Sequence, residues 1–197
     1  MNYLAHIYLS GNNPLVKIGN FSGDWSKGTI SGLSVKYPVD MVKGVVIHRF
    51  IDRYTDEHPL AIKSTELWRK SFGKYAGVVN DVVFDHFLAK NWDVWSNENL
   101  GGFTSTFYTL CLNNYEILPN ALKPLVPHLI LSDRLNSYRT IEGLAAALRT
   151  MSFQTSLPKN TSEIIEILKV DISEIEYIFN DFFIDIKDAV SKNFNVD

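Results

Sequence analysis

The apolar residues of this chain recur at helical spacing wherever they recur at all, and that regularity does most to limit what it can fold into. Near the end, Ile175, Ile178, Phe179, Phe182 and Ile186 follow the i, i+3, i+4 rhythm of one buried helix face. Residues 39–56 carry Val42, Val45 and Val46 as an apolar stripe beside Arg49 and Arg53. The β-branched run "GVVIHRF" would suit a strand, but its charged positions stand four apart rather than two. Pro59 suits the first turn of the next helix, where its missing N–H costs nothing. Residues 75–92 and 103–118 read as further helices, and Asn160 with Glu163 forms a capping box for a late one. Strand alternation is almost absent. The expected fold is an all-α bundle.

Glycine-, proline- and asparagine-rich breaks such as "SGNNP" and "NENLGG" separate these segments. With 197 residues and no repeat, low-complexity tract or linker, one helical domain spanning residues 1–197 is expected.

Two of the helices carry polar groups where a core face should be. "NDVVFDHFLAK" places Asp81, Asp85 and His86 among valines and phenylalanines. Buried ionised carboxylates are costly unless paired. Asp81 and Asp85 stand four apart, as do His48, Asp52 and Asp56, so each helix presents a stripe of metal-ligand residue types. A divalent cation would compensate that charge inside an apolar bundle. "GNFSGDWSKG" (19–28) adds Asp24 between small residues that allow close approach, and "MNYLAH" adds His6. The ligand candidates are therefore Asp24, His48, Asp52, Asp81, Asp85 and His86, all within residues 1–92. His6 and Asp24 are candidates for proton transfer, and Arg49 for clamping a phosphate oxygen with its planar fork. The competing reading pairs Asp52 and Asp56 with Arg49 and Arg53 on a solvated face.

Charge is uneven. Residues 1–90 hold 11 Lys/Arg against 8 Asp/Glu, and residues 91–197 hold 8 against 14. The half with the candidate ligands is the more positive, which favours an anionic ligand and gives no support for nucleic-acid binding. The single cysteine, Cys111, reads as packing and fits a reduced, cytoplasmic setting. No basic leader and no apolar run of about 18 residues suggests export or a membrane span. P-loop, Rossmann, G-x-S-x-G, CxxC and HExxH patterns are missing.

Taken together, "MNYLAH", "GNFSGDWSKG", "GVVIHRFIDRYTDEHP" and "YAGVVNDVVFDHFLAKNW" resemble, in order, the bacterial acyl carrier protein phosphodiesterases, with a looser likeness through "YRTIEGLAAALRTMS". Phe153 and Gln154 then stand where that family continues with arginines. The resemblance implies a helical fold like that of the HD-domain phosphohydrolases, although Asp85-His86 reverses the usual order of the HD pair. It implies hydrolysis of the phosphodiester joining 4′-phosphopantetheine to a serine of acyl carrier protein, with Mn²⁺ or Mg²⁺ as cofactor. The carrier is acidic, so a basic patch is expected, drawn from Lys27, Lys43, Arg49, Arg53, Arg69, Lys70 and Lys74; Lys27, Arg53 and Lys74 are the expected substrate contacts. Two other readings stay open: a phosphohydrolase of a nucleotide or other small phosphoester, and a helical binding module without catalysis.

Overall fold

The computed structural model describes residues 1–154 and 161–196. Among them every regular element is a helix. In chain order these are α1 (Tyr3–Tyr8), α2 (Pro14–Phe21), α3 (Ile30–Ser34), α4 (Val39–Glu57), α5 (Pro59–Phe72) and α6 (Ala76–Lys90). There follow α7 (Trp92–Trp95), α8 (Leu100–Asn113), α9 (Leu125–Leu131), α10 (Arg134–Ser137), α11 (Ile141–Gln154) and α12 (Thr161–Phe194). Short 3-10 turns at Gly23–Trp25, Gly73–Tyr75 and Tyr115–Ile117 link some of them.

The helix expected over 39–56 is α4, and Pro59 opens α5 with the His58 side chain accepting the Leu60 N–H. The segment 75–92 divides at Asn91 into α6 and α7, and 103–118 begins earlier, at Leu100, where Asn99 caps the helix by accepting from Gly102. The Asn160 capping box lies outside the described residues.

One hydrophobic cluster joins α1, α2 and α4–α12. The long α12 lies against α4, α5, α6 and α11. Its Ile175, Ile178, Phe179, Phe182 and Ile186 are all buried, as the spacing requires. Phe179 and Phe182 meet Phe84 of α6 at 5.5 and 5.3 Å between ring centroids. Cys111 is buried in the same cluster, and burial pushes its thiol up to about 12, so it packs rather than reacts at neutral pH.

The contact that positions the candidate site is the crossing of α2 and α4. A Cβ on Gly19 would lie 1.9 Å from the Met41 carbonyl oxygen, and one on Gly44 would lie 2.2 Å from that of Val16. Only glycine allows these backbones to touch, and their approach brings the "GNFSGD" turn against the His48 face of α4.

Candidate metal centre

His48 and Asp52, one turn apart on α4, meet His6 from α1. His6 Nε2 lies 3.1 Å from Asp52 Oδ1, and His48 Nε2 lies 3.0 Å from Asp52 Oδ2. One donor atom from each of the three residues falls within 4.8 Å of the others. Asp24, on the turn after α2, closes the group with Oδ1 at 3.5 Å from His48 Nε2. The imidazoles of His6 and His48 stack with centroids 4.2 Å apart. Both histidines are buried, whereas Asp52 and Asp24 reach solvent on one side.

The donors around His6 are set by a residue that spacing alone does not reveal. Asn20, fully buried in α2, donates Nδ2 to the His6 carbonyl at 2.8 Å and to Ser10 Oγ at 2.9 Å. Its Oδ1 is left to accept the His6 Nδ1–H at 2.8 Å. That proton on Nδ1 leaves the Nε2 lone pair facing Asp52, the tautomer a metal ligand needs. Gly23 makes room for the neighbouring ring, since a Cβ there would lie 2.1 Å from His48 Cγ.

A divalent ion fits these residues. His6 Nε2 is buried without a hydrogen-bond partner, even though Asp52 Oδ1 lies close by. Two groups aimed at a common centre show this arrangement. For an octahedral ion with ligands at about 2.1 Å, adjacent ligand atoms lie about 3 Å apart, which is the His–Asp separation here. The two imidazole nitrogens favour a divalent transition metal over an ion that prefers all-oxygen ligands.

Without an ion, charge is redistributed among the same groups. Burial works against a proton on His48, but Asp24 and Asp52 outweigh it and push the imidazole up to about 9. Burial lowers His6, which is therefore neutral. His48 holds Asp24 below the usual carboxylate range; for Asp52, burial raises the carboxyl but the charged His48 imidazole beside it outweighs that, and its carboxyl also falls.

The α6 groups go elsewhere. Asp85, fully buried, accepts the backbone N–H of Leu4 at 2.7 Å and of Ala5 at 3.2 Å. His86 Nδ1 donates to the Tyr138 carbonyl at 2.7 Å. Asp81 Oδ1 accepts from the Met1 amino group at 2.8 Å, and Asp81 lines the cavity of about 330 Å³ that also holds Asp24, Asp52 and Tyr3. The structure thus gathers Asp24, His48, Asp52 and His6, keeps Asp81 at the rim, and turns Asp85 and His86 to α1 and Tyr138. Arg49 donates Nη2 to the carbonyls of Ser26 and Gly28, both at 2.9 Å, and so pins the loop that carries Asp24. Lys27, Arg53 and Lys74 are exposed. Tyr3, also missed from sequence, packs on Phe21 and Trp25, and burial pushes its hydroxyl up to about 12.

A family model described as acyl carrier protein phosphodiesterase matches residues 1–186. The chain belongs to the acyl carrier protein phosphodiesterase family. Among curated relatives of that name, one from Photorhabdus laumondii is 38% identical over 93 residues, covering 47% of this chain and 46% of the relative. One from Yersinia pestis is 33% identical over 93 residues, 47% of each chain. One from Serratia proteamaculans is 31% identical over 120 residues, 60% of this chain and 61% of the relative. The chain thus spans about half the length of the curated relatives it matches first. No solved structure matches it, so the likeness to HD-domain phosphohydrolases remains a sequence expectation. No helix among the described residues is long and apolar enough to cross a membrane.

Proposed function

We propose that this family member is a divalent-metal phosphodiesterase that removes 4′-phosphopantetheine from the serine of holo-acyl carrier protein, leaving apo-carrier protein. The observation that carries the reading is the convergence of His6, His48 and Asp52 from two helices on one point, with a buried imidazole nitrogen left unpartnered. His6 Nε2, His48 Nε2 and Asp52 would hold the ion, with Mn²⁺ expected and Mg²⁺ an alternative. When bound, the ion lowers the pKa of a water and draws charge from the phosphoryl oxygens.

This chain's residues supply the rest. Asn20 keeps the His6 proton on Nδ1 and so keeps Nε2 available. Asp24 is exposed to the cavity and can take a proton from the attacking water and pass it to the departing serine oxygen as the P–O bond breaks. Tyr3 stays protonated and offers a hydrogen bond to a phosphoryl oxygen in the same cavity. Arg49 holds the Asp24 loop with Nη2; its Nη1 and Nε make no hydrogen bond among the described residues and are free to reach a phosphate oxygen. Lys27, Arg53 and Lys74 give exposed positive charge for an acidic carrier protein, and a cytoplasmic location fits the single free thiol.

The test is to incubate the chain with holo-acyl carrier protein and Mn²⁺, with and without chelator, and to weigh the carrier by mass spectrometry. Metal-dependent loss of the prosthetic group is expected. An intact holo-carrier after prolonged incubation with metal would refute the reading.

A further inference from the structure

We infer that the cavity at the candidate metal centre continues into a second one that receives the pantetheine arm of the substrate, with Gly77 as its open wall. This rests on the phosphodiesterase reading above. The first cavity, with Asp24 and Asp52, shares Asp56 and Asp81 with a neighbour of about 260 Å³. That neighbour is lined further by Thr55, Ile62, Thr65, Arg69, Lys74 and Gly77.

The lining suits one chemical class. Beyond its phosphate, the pantetheine arm is uncharged and unbranched except for one pair of methyl groups, with a hydroxyl and two amides. Asp56 and the second oxygen of Asp81 can accept from the hydroxyl and the amide N–H groups. Thr65 and Lys74 can donate to the amide carbonyls, and Ile62 can meet the methyl pair. No aromatic ring lines this second cavity, which gives a nucleotide base nothing to stack on.

Gly77 makes the idea testable, because a Cβ there meets nothing within 4 Å. A Cβ fits there without moving the backbone, and Gly77→Trp sets a large ring at the wall of the cavity. The Mn²⁺-loaded chain is assayed on holo-acyl carrier protein and on bis(4-nitrophenyl) phosphate, which lacks the arm. Gly77→Trp should lower the ratio of kcat/KM for holo-carrier to that for the small diester by roughly tenfold or more. In parallel, pantetheine without phosphate should bind the wild-type chain in calorimetry and bind Thr65→Trp more weakly. An unchanged ratio, or no pantetheine binding to the wild-type chain, would overturn the arm site while leaving the phosphodiesterase reading standing. A wild-type chain that cleaves the small diester but never the holo-carrier would instead remove that reading, and the arm site with it.

Discussion

The Asp85 carboxylate accepts the backbone N–H of Leu4 at 2.7 Å, joining the middle of α6 to the first turn of α1. The first N–H groups of a helix have no partner within it, and Asn2 at the N-cap supplies no side-chain bond. Asp85 takes over that task from 81 positions away, and it does so two residues before His6. A buried acid distant in sequence from His6 therefore aims one of the ligands.

Asp85→Ala should destabilise the fold and loosen the metal site together. Two buried N–H groups lose their acceptor. Leaving a buried donor unsatisfied costs about 1–3 kcal/mol each, so a loss of roughly 2–6 kcal/mol is expected. Urea denaturation measures it, and Mn²⁺ titration of the still-folded protein should show weaker binding. Unchanged stability would mean that α1 finds another cap.

Stability should also depend on pH through Asp85. Burial, against the Leu4 and Ala5 hydrogen bonds, pushes its carboxyl up from 3.8 to about 7. The folded state thus holds a proton that the unfolded state has released. The group's contribution is fully present below pH about 4, declines between about 4 and 7, and is lost above that. The size is on the order of a few kcal/mol. Denaturation midpoints across this window should fall with rising pH, and Asp85→Asn should flatten that slope. A variant with the wild-type slope would assign the dependence to other groups.

Asn20→Leu should weaken metal binding and the fold together, since three buried hydrogen bonds are lost with the amide. The isostere removes the acceptor that holds the His6 proton on Nδ1. Losing such an outer partner typically costs about 10–100-fold in metal affinity. Calorimetry with Mn²⁺ reads this directly, and wild-type affinity in the variant would show that His6 keeps its tautomer unaided.

Gly44→Ala tests the helix crossing. Its Cβ would stand 2.2 Å from the Val16 carbonyl oxygen, so α2 must shift. Overpacking of this kind costs about 1–3 kcal/mol, and here it also moves the Asp24 turn away from His48. A lower Tm accompanied by weaker Mn²⁺ binding is expected; a lower Tm alone would separate the crossing from the site.

The sequence made the helices legible because their buried faces repeat, and it made His48 and Asp52 legible because i, i+4 neighbours share a face of one rod. It was less informative about α6. Asp85 and His86 are ligand types in an apolar run, and nothing local distinguishes a carboxylate that binds a cation from one that caps another helix. That distinction depends on α1 crossing α6. Asn20 was invisible for a similar reason: a single amide in "PLVKIGNF" carries no periodic signal, and its partners lie on α1 and at Ser10. Gly23 sat inside a quoted motif, but its purpose appears only once the His48 ring lies against it.

The most direct test of the shared ion is Mn²⁺ titration of the chain beside Asp52→Ala, followed by calorimetry and by the electron paramagnetic resonance of free Mn²⁺. Asp52 is the carboxylate that touches both imidazoles, so its removal should abolish tight binding while the helical circular dichroism is kept. Wild-type Mn²⁺ affinity in folded Asp52→Ala would contradict the account.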